Sequence, residues 1–431
     1  MKLIYSQSLS VVHFRTRSLL RRLGWRLRDR ISAPSRQAPL PVPRRTGPLR
    51  VGFVVCMSSK WALQSILEEL QAQPDVECGI YITLSDLSLR YTPAKRRQDY
   101  RTQRAFFSDR APIWADLYDL ETDRIQPLSL IDCDIIFIQQ PWGMQDLPRR
   151  LSGRVRCAYV HYGVPVIANE RMHYGLPDFH PFLWRYFVPT SVHAQALSSS
   201  GHVPPEAVRI VGHPKLDIYQ TPSPERNAVT LWAHPEQRDR QRVIYAPHHG
   251  LGAESLKLGT FDWSGATMLA LTRKFRNVDF ILRPHPNLGY ELMRGGMMSH
   301  SDWQQYLDDW RHGENTSLSL DGDYFDLFRT SDALITDSGS FLAEYLPTGK
   351  PLIRLTRSGS TPLNQFGMSL SAGFCEVQES HQLEQLFETV IVRGVNPCAA
   401  HQARLMQLLL PYRESAAGVI VTDLLNGTKR G

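Results

Sequence analysis

The sequence predicts an α/β protein with two Rossmann-like domains that face each other across a cleft, preceded by a basic N-terminal extension. The chain has 431 residues, which is more than one hydrophobic core usually organises. From residue 49 onward, short apolar runs alternate with segments of helical spacing. This alternation is typical of parallel strands that are buried on both faces and connected by helices. Such sheets bind ligands at the carboxyl ends of their strands.

The first predicted domain covers residues 49–217 and begins with the buried strand LRVGFVVCM. The helix predicted after it places Trp61, Ile66, Leu67 and Leu70 on one side. Further strands, each followed by a loop or a helix, are predicted within residues 76–83, 133–143, 156–163, 186–201 and 208–217. Together these units predict a doubly wound parallel sheet.

The second predicted domain, residues 218–431, repeats this order of elements. A strand and loop at residues 242–250 lead to a helix, a strand and a loop at residues 267–286. Residues 323–355 are predicted to form a helix, a strand, a loop, a helix and a strand. Closing helices are predicted within residues 380–392, 403–414 and 417–425.

The composition is that of a globular protein and predicts a cytoplasmic location. Hydrophobic residues make up 42% of the chain and charged residues 21%, so a packed core is expected. No apolar run approaches the ~20 residues that span a bilayer, and the N-terminus lacks the apolar stretch of a secretory signal. Six cysteines occur without a CxxC pair, which favours reduced thiols in a cytosolic protein.

Residues 1–48 form the basic extension. Residues 1–50 carry twelve Lys or Arg and one acid, a net charge of +11, and the remaining 381 residues sum to −4. The mildly acidic body argues against a nucleic-acid groove. The extension predicts an amphipathic helix and then a proline-rich linker at residues 33–50. We expect the helix to lie on an anionic membrane surface. The alternatives are a solvated arm, a helix packed on the body, or a targeting peptide.

The segment ALITDSGSFLAEYLPTGKPLI, residues 333–353, predicts a strand, a tight loop and a helix. Gly339 lets the backbone approach a ligand closely, and amides at the helix start lie beside the hydroxyl groups of Ser338 and Ser340. This arrangement is typical of an anion site, although serines also serve as ordinary helix caps. Glu344, one turn into the helix, could accept hydrogen bonds from a ribose or only favour the helix dipole.

A second candidate group ends the predicted strand in ILRPHP, residues 281–286. The Arg283 guanidinium offers a planar fork that suits phosphate oxygens. His285 can donate a hydrogen bond to a phosphoryl oxygen or transfer a proton near neutral pH. Pro284 and Pro286 fix the backbone around it. A buried strand has no use for such polar groups in a core, so this motif predicts a phosphate site.

Histidines also follow other predicted strands, beside glycine or proline. They are His161, His213, and the adjacent pair His248 and His249. The sequence has no HxxxH or HxH motif with a partner acid, so no metal site is predicted. It also has no GxGxxG motif after the first strand, no Walker A lysine and no GxSxG elbow, which disfavours dehydrogenases, P-loop kinases and α/β-hydrolases.

These motifs resemble the CDP-glycerol glycerophosphotransferase family of teichoic-acid and capsule polymerases, over residues 155–360. The matching motifs, in the family's order, are HYGVP, VGHPKLD, ILRPHP and the segment from DYFDLF to GKPLI. The resemblance implies a fold of the glycosyltransferase-B (GT-B) type, a CDP-glycerol-like donor held mainly by the second half, and an acceptor hydroxyl held by the first. It also implies a position at the inner face of the cell membrane and no required cofactor. The need for a divalent cation stays open.

The sequence departs from the family pattern at three places. Tyr162 stands where the family carries glycine after its histidine, and the lysine that follows in the family is missing. The run APHHG replaces one that carries a phosphate-binding arginine. The loop TDSGS also resembles that of non-hydrolysing UDP-N-acetylglucosamine 2-epimerases. The alternatives are therefore a GT-B glycosyltransferase or an epimerase acting on a UDP-sugar, and a membrane-bound nucleotide-binding scaffold.

The resulting hypothesis is a transferase of surface-polymer biosynthesis in which His161 and His285 are catalytic, with His161 as the general base. A larger set is predicted to bind the donor diphosphate and nucleotide: Arg283, Ser338, Gly339, Ser340, Glu344, His248, His249 and His213. We expect Arg283, His285 and the loop at residues 338–340 to converge on one pocket. The donor base, the acceptor polymer and the oligomeric state are left open by the sequence.

Overall fold

The computed structural model describes residues 47–86, 88–220, 228–237, 239–252, 256–320 and 324–429. The predicted membrane helix and most of the linker after it fall within residues 1–46, outside the described residues. Within the described ranges, no helix is both long enough and apolar enough to cross a membrane.

The first half of the chain forms a seven-stranded parallel sheet. The strands of this half are β1 (Leu49–Val55), β2 (Val76–Ile82), β3 (Ile113–Asp116), β4 (Tyr118–Asp119), β5 (Arg124–Ile125), β6 (Ile135–Ile138), β7 (Arg156–Val160), β8 (Arg185–Val188) and β9 (Val208–Ile210). The sheet order is β3-β2-β1-β6-β7-β8-β9, and β4 and β5 form a separate antiparallel pair. The central strand β1 pairs with β2 and β6, with Val51 opposite both Cys78 and Ile135.

Helices connect these strands on both faces of the sheet. They are α1 (Gln64–Gln71), α2 (Pro93–Ser108), α3 (Leu147–Leu151), α4 (Glu170–Tyr174) and α5 (Ser191–Ser200). The helix predicted after β1 begins only at Gln64, because residues 58–60 form a separate 3₁₀ turn. The predicted stop of α5 is correct, since Gly201 takes the left-handed conformation (φ 68°) that ends many helices.

The second half forms a six-stranded parallel sheet, which confirms the predicted fold class. Its strands are β10 (Gln241–Ala246), β11 (Val278–Leu282), β12 (Thr316–Leu318), β13 (Ala333–Thr336), β14 (Leu352–Leu355) and β15 (Cys375–Val377). The sheet order is β12-β11-β10-β13-β14-β15. The helices of this half are α6 (Phe261–Lys274), α7 (Leu288–Arg294), α8 (His300–His312), α9 (Phe325–Thr330), α10 (Gly339–Tyr345), α11 (Gln365–Leu370), α12 (Ser380–Phe387), α13 (Ala399–Leu409) and α14 (Ala416–Lys429).

Each sheet lies between two apolar clusters, because alternate strand residues point to opposite faces. In β1, Phe53 belongs to one cluster and Val54 to the other. In β10, Ile244 likewise belongs to one apolar cluster of the second half and Val243 to the other. All four side chains are almost fully buried, which explains why these strands read as continuous apolar runs in the sequence.

The last helix, α14, returns to the first half. Its residues Ile420 and Leu424 lie in the apolar cluster that α1 helps to form. The Asp217 carboxylate, at the end of the first half, accepts hydrogen bonds from the backbone amides of Ala416 (2.7 Å) and Ala417 (3.0 Å). This differs from the predicted division, which placed all closing helices in the domain of residues 218–431. The apolar residues of α14 pack in the core of the first half, and Asp217 caps the helix there.

Replacing Asp217 by alanine should lower the free energy of unfolding by about 1–2 kcal/mol, because two amides at the start of α14 lose their acceptor. Urea denaturation followed by circular dichroism measures this change. Asp146→Ala is the matched control, since Asp146 precedes α3 without a side-chain capping bond. We expect the control to change stability by less than about 0.5 kcal/mol. Equal losses in the two variants would contradict the capping role.

The loop after β7 joins the two halves. Val164, Val166 and Ile167 belong to an apolar cluster of the second half. Asn364 fixes the loop, because its backbone amide donates to the Val166 carbonyl and its side-chain amide donates to the Pro165 carbonyl, both at 2.9 Å. Residue 161, at the start of this loop, is therefore held against the second domain.

Candidate active site

A cleft of about 1570 Å³ lies between the two sheets. The first half contributes the segments that follow the carboxyl ends of β1, β6 and β7. The second half contributes the segments after β10, β11 and β13, which are neighbours in the second sheet. The cleft therefore occupies the position at which open parallel sheets bind ligands.

Three histidines of the second half form a cluster in the cleft wall. The ring centroids of His249 and His285 lie 4.0 Å apart, and those of His248 and His249 lie 4.3 Å apart. The backbone brings them together, since the His285 amide donates to the Pro247 carbonyl at 2.9 Å. Asp337 accepts from the His248 amide at 2.5 Å and from the Thr260 amide at 2.6 Å. Buried Asp337 thus fixes this wall and is not itself exposed in it.

The backbone determines which ring nitrogen of two histidines carries the proton. The Gly250 amide donates to His248 Nδ1 at 3.0 Å, and the Asn287 amide donates to His285 Nδ1 at 3.1 Å. Burial lowers the pKa of both imidazoles well below the usual value, so both rings are neutral at pH 7. A neutral ring that accepts at Nδ1 carries its hydrogen on Nε2. His248 and His285 therefore each present an N–H donor, which suits an anion.

The same cluster has the spacing of a metal site. One ligand atom from each of His248, His249 and His285 lies within 4.8 Å of the others. A metal ion, however, needs a lone pair on each ring, and the Nδ1 lone pairs of His248 and His285 are already used by backbone amides. The tautomers therefore favour an anion over a cation at this position.

We expect inorganic pyrophosphate to bind the purified chain equally well with and without EDTA in isothermal titration calorimetry. Zn²⁺ titrated into the metal-free chain should show no stoichiometric site. The matched variant is His249→Ala, because the His249 Nδ1 atom is buried and has no hydrogen-bond partner among the described residues. One tightly bound Zn²⁺ per chain, lost in His249→Ala, would contradict the tautomer argument.

Arg283 extends this wall from the end of β11. Its backbone amide donates to the Tyr245 carbonyl at 2.8 Å, and its Nη1 donates to the Ser319 hydroxyl at 2.7 Å. The guanidinium carbon lies 5.3 Å from the centroid of the Tyr324 ring, which adds cation–π attraction. These contacts hold the planar fork in one orientation along the cleft.

The loop between β13 and α10 lies beside the histidine cluster. Residues 338–340 line the cleft, and the Ser338 amide donates to the Thr336 hydroxyl at 3.0 Å. Ser338 stands at the N-cap position of α10 but makes no side-chain capping bond. The Gly339 position is close-packed, because a Cβ atom there would lie 2.6 Å from Ile167 Cγ1. Glycine is thus required where the first half closes over this loop.

His161 faces the cleft from the first half. Its Nδ1 lies 2.6 Å from the Gly163 carbonyl oxygen and 3.3 Å from the Gly163 amide. Because the carbonyl oxygen can only accept, the shorter contact places the hydrogen on Nδ1 and leaves the lone pair on Nε2. The Nε2 atom is buried and has no hydrogen-bond partner within the described part of the chain. Burial, with a smaller effect of His173, lowers the pKa of His161 well below its usual value. The ring is therefore a neutral base with an unused lone pair.

Two residues that were predicted to contact the donor substrate, His213 and Glu344, lie behind the cleft wall instead. Their predicted roles therefore need correction. His213 uses both ring nitrogens internally: Nε2 donates to the His161 carbonyl at 2.8 Å, and Nδ1 accepts from the Lys215 amide at 3.3 Å. Glu344 is fully buried. Its carboxylate bonds to the Tyr324 hydroxyl and lies 3.7 Å from Lys215 Nζ. His213 thus positions the His161 loop, and Glu344 positions Lys215 and Tyr324.

Sequence reasoning missed several residues of the cleft. Lys60 enters it from the turn after β1, and its Nζ lies 4.7 Å from the Trp142 ring centroid and 4.9 Å from that of Tyr162. Lys215, from the end of the first half, and Tyr324, from the second half, also line the cleft and are joined by a 2.8 Å hydrogen bond. The sequence marks Lys60, Lys215 and Tyr324 only by their position, since each follows a predicted strand or begins a predicted helix.

The fold is of the GT-B type, with two parallel-sheet halves that face each other across a cleft. Similar solved structures include S. aureus MnaA with UDP (13% identity, TM-score 0.55, covering 87% of this chain and 96% of that one). They also include UDP-GlcNAc 2-epimerase from Neisseria meningitidis bound to UDP-GlcNAc (15%, 0.54, 88% and 100%). A UDP-N-acetylglucosamine 2-epimerase from Listeria monocytogenes is a third (13%, 0.52, 89% and 98%). At these identities the likeness establishes the fold.

Within this class, residues 183–357 match the model of the family described as CDP-glycerol:poly(glycerophosphate) glycerophosphotransferase. This match confirms the resemblance that the motifs indicated. A search of curated proteins found no match. The matched segment contains the histidine cluster, Arg283 and residues 338–340. It does not contain Lys60 or His161.

Proposed function

We propose that this chain is a transferase that moves a glycerophosphate unit from a CDP-linked donor to an acceptor hydroxyl in the synthesis of a surface polymer such as teichoic acid or capsule. The proposal rests on a row of hydrogen-bond donors at the ends of β11, β10 and β13. The neutral N–H groups of His285 and His248 stand beside the Arg283 guanidinium and the loop at residues 338–340. Such a row matches the oxygens of one diphosphate.

The second half would bind the donor. MnaA and the Neisseria epimerase were solved with UDP and UDP-GlcNAc, respectively, and their fold is shared by this chain. This supports a donor that contains a nucleoside diphosphate. Hydrogen-bond donors that the backbone already holds in place need not reorganise when negative charge develops on the leaving group. This preorganisation is the usual source of large electrostatic rate effects.

The reaction is one displacement at phosphorus. The acceptor hydroxyl oxygen forms a bond to the phosphorus that bears glycerol, and the bond from that phosphorus to the bridging oxygen breaks. The bridging oxygen keeps the electron pair and leaves as part of CMP. The hydroxyl proton passes to His161 Nε2, whose lone pair is unused in the described structure. His213 holds the His161 carbonyl, so it acts as a positioning residue.

The chain would work at the inner face of the cell membrane, with residues 1–48 on the anionic lipid surface. The net charge of +11 over residues 1–50 supports this location. Sedimentation with vesicles of anionic and of neutral lipid, using the full chain and a chain that begins at residue 47, tests it. Equal binding of the two chains to anionic vesicles would contradict it.

The second candidate is a GT-B glycosyltransferase or an epimerase acting on a UDP-sugar. The TDSGS loop and the similarity in fold to UDP-GlcNAc 2-epimerases favour it. Incubating the chain with CDP-glycerol or UDP-sugars, with and without lipid-linked acceptor, separates the two. We expect CMP release from CDP-glycerol that depends on the acceptor. An epimerised UDP-sugar formed without acceptor would overturn the proposal.

A further inference from the structure

Lys60 reaches the cleft from the first half, where its ammonium lies beside two aromatic rings. It ends the 3₁₀ turn Ser58–Lys60, directly after β1. Its ammonium lies 4.7 Å from the centroid of the Trp142 ring and 4.9 Å from that of Tyr162. These residues follow the ends of β6 and β7, so three neighbouring strand ends build one cationic position.

The surroundings of Lys60 do not neutralise its charge. Among the described residues, no carboxylate lies within ion-pair distance of its ammonium, and no hydrogen-bond acceptor contacts it. Burial lowers the pKa of Lys60, and the opposing effects of Cys56 and Asp86 do not reverse this shift. Partial burial of a cation that has no ion-pair partner costs free energy, and two aromatic faces offset only part of this cost. A protein retains such a group where a ligand supplies the anion.

Lys60 also lies close enough to the histidines of both halves to affect their ionisation. Its positive charge lowers the pKa of His161 from one side and of His248 and His285 from the other. Lys60, His161, His248 and His285 all line the same cleft. An anion in this space would satisfy the ammonium and both N–H groups.

We propose that Lys60 binds the non-bridging oxygens of the donor's terminal phosphoryl group from the acceptor half, opposite His248 and His285. This inference rests on the proposed function for the identity of that group. Tyr162, one residue after His161, provides one of the two rings beside the ammonium.

Isothermal titration calorimetry with inorganic pyrophosphate tests this role without any assumption about the nucleotide. We expect Lys60→Met to weaken pyrophosphate binding roughly tenfold or more, as for loss of a charge-assisted contact, and Lys60→Arg to restore most of it. Lys95→Met is the matched control, because the exposed Lys95 also stacks on a tyrosine, Tyr91, but lies outside the cleft lining. Unchanged pyrophosphate binding in Lys60→Met would overturn the proposal.

Two further titrations separate the donor phosphate from an acceptor phosphate. We expect Lys60→Met to weaken CDP binding and to leave CMP binding unchanged, since only CDP carries the terminal phosphoryl group. If Lys60 instead contacts the acceptor, CDP binding will not change and binding of sn-glycerol 3-phosphate will be lost, which contradicts the proposal. If the chain fails to turn over CDP-glycerol while Lys60→Met still weakens pyrophosphate binding, the proposed function fails and the Lys60 site stands.

Thermal unfolding distinguishes a binding role of Lys60 from a structural role, because the two roles predict opposite changes in the melting temperature. Because the ammonium lacks an anion in the unliganded chain, Lys60→Met should keep or raise the melting temperature while it weakens pyrophosphate binding. A lowered melting temperature together with unchanged binding would show that Lys60 serves packing alone.

Discussion

Replacing His161 by alanine should lower kcat by roughly 10²–10⁴-fold, the usual contribution of a positioned general base. The reason is the unused Nε2 lone pair of a ring that lines the cleft, while Nδ1–H is bound to the Gly163 carbonyl. Donor affinity should change little, because the N–H donors for the diphosphate belong to the second half. Measuring released CMP against CDP-glycerol concentration separates the change in kcat from the change in KM.

His161→Asn is the informative companion variant. Its side-chain amide can still donate to the Gly163 carbonyl, so the loop keeps its anchor while the base is removed. We expect it to be as slow as His161→Ala. His312→Ala, on the surface of α8, is the matched control and should keep full activity. Near-normal turnover in His161→Asn would remove His161 from the catalytic step.

The pH dependence gives a second test of the same base. Burial lowers the pKa of His161 well below 6.5, so the ring stays unprotonated and able to accept a proton below that pH. We therefore expect kcat/KM to show no acid limb near pH 6.5 and to fall only at lower pH. A limb at pH 6.5 that disappears in His161→Asn would show that the ring titrates as an exposed imidazole.

Replacing His285 by alanine should lower kcat by roughly 10²–10³-fold, as expected for loss of one preorganised donor to developing charge. His285→Asn and His285→Gln separate the two ring nitrogens. Asparagine can accept from the Asn287 amide as Nδ1 does but cannot reach the Nε2 position. Glutamine places an amide N–H near that position. We expect His285→Asn to be as impaired as alanine and His285→Gln to recover part of the activity.

Release of CMP is again the measurement, with replacement of the exposed His300 at the start of α8 by alanine as control. Full activity in His285→Asn would mean that Nε2 donates to nothing in the reaction. Equal loss in all three His285 variants, with a lowered melting temperature, would mean that the residue is needed for the fold of the loop instead.

Site motifs whose position the backbone fixes could be predicted from the sequence. Pro284 and Pro286 mark where β11 ends, and the order of elements places that end beside the loop at residues 338–340. Because parallel strands end at one edge of a sheet, no contact information was needed to expect Arg283 and His285 in the cleft wall. The same reasoning predicted both sheets.

Whether a residue near a strand end lines the cleft or lies behind its wall could not be predicted in this way. His213 and Glu344 follow strands as His285 does, yet they lie behind the wall because Lys215 and Tyr324 stand in front of Glu344 and the His161 carbonyl faces His213. Lys60 carries no local motif, since its role depends on Trp142 and Tyr162 far along the chain. The return of α14 to the first half likewise depends on Asp217, which precedes the whole second sheet.

The most direct measurement of the central claim is the position of a diphosphate in crystals of this chain grown with CDP. The account predicts terminal phosphate oxygens within about 3.2 Å of the Nε2 atoms of His248 and His285, with the Arg283 guanidinium on the same diphosphate and residues 338–340 against it. A diphosphate bound away from these groups, or one that leaves both Nε2 atoms without contact, would contradict it.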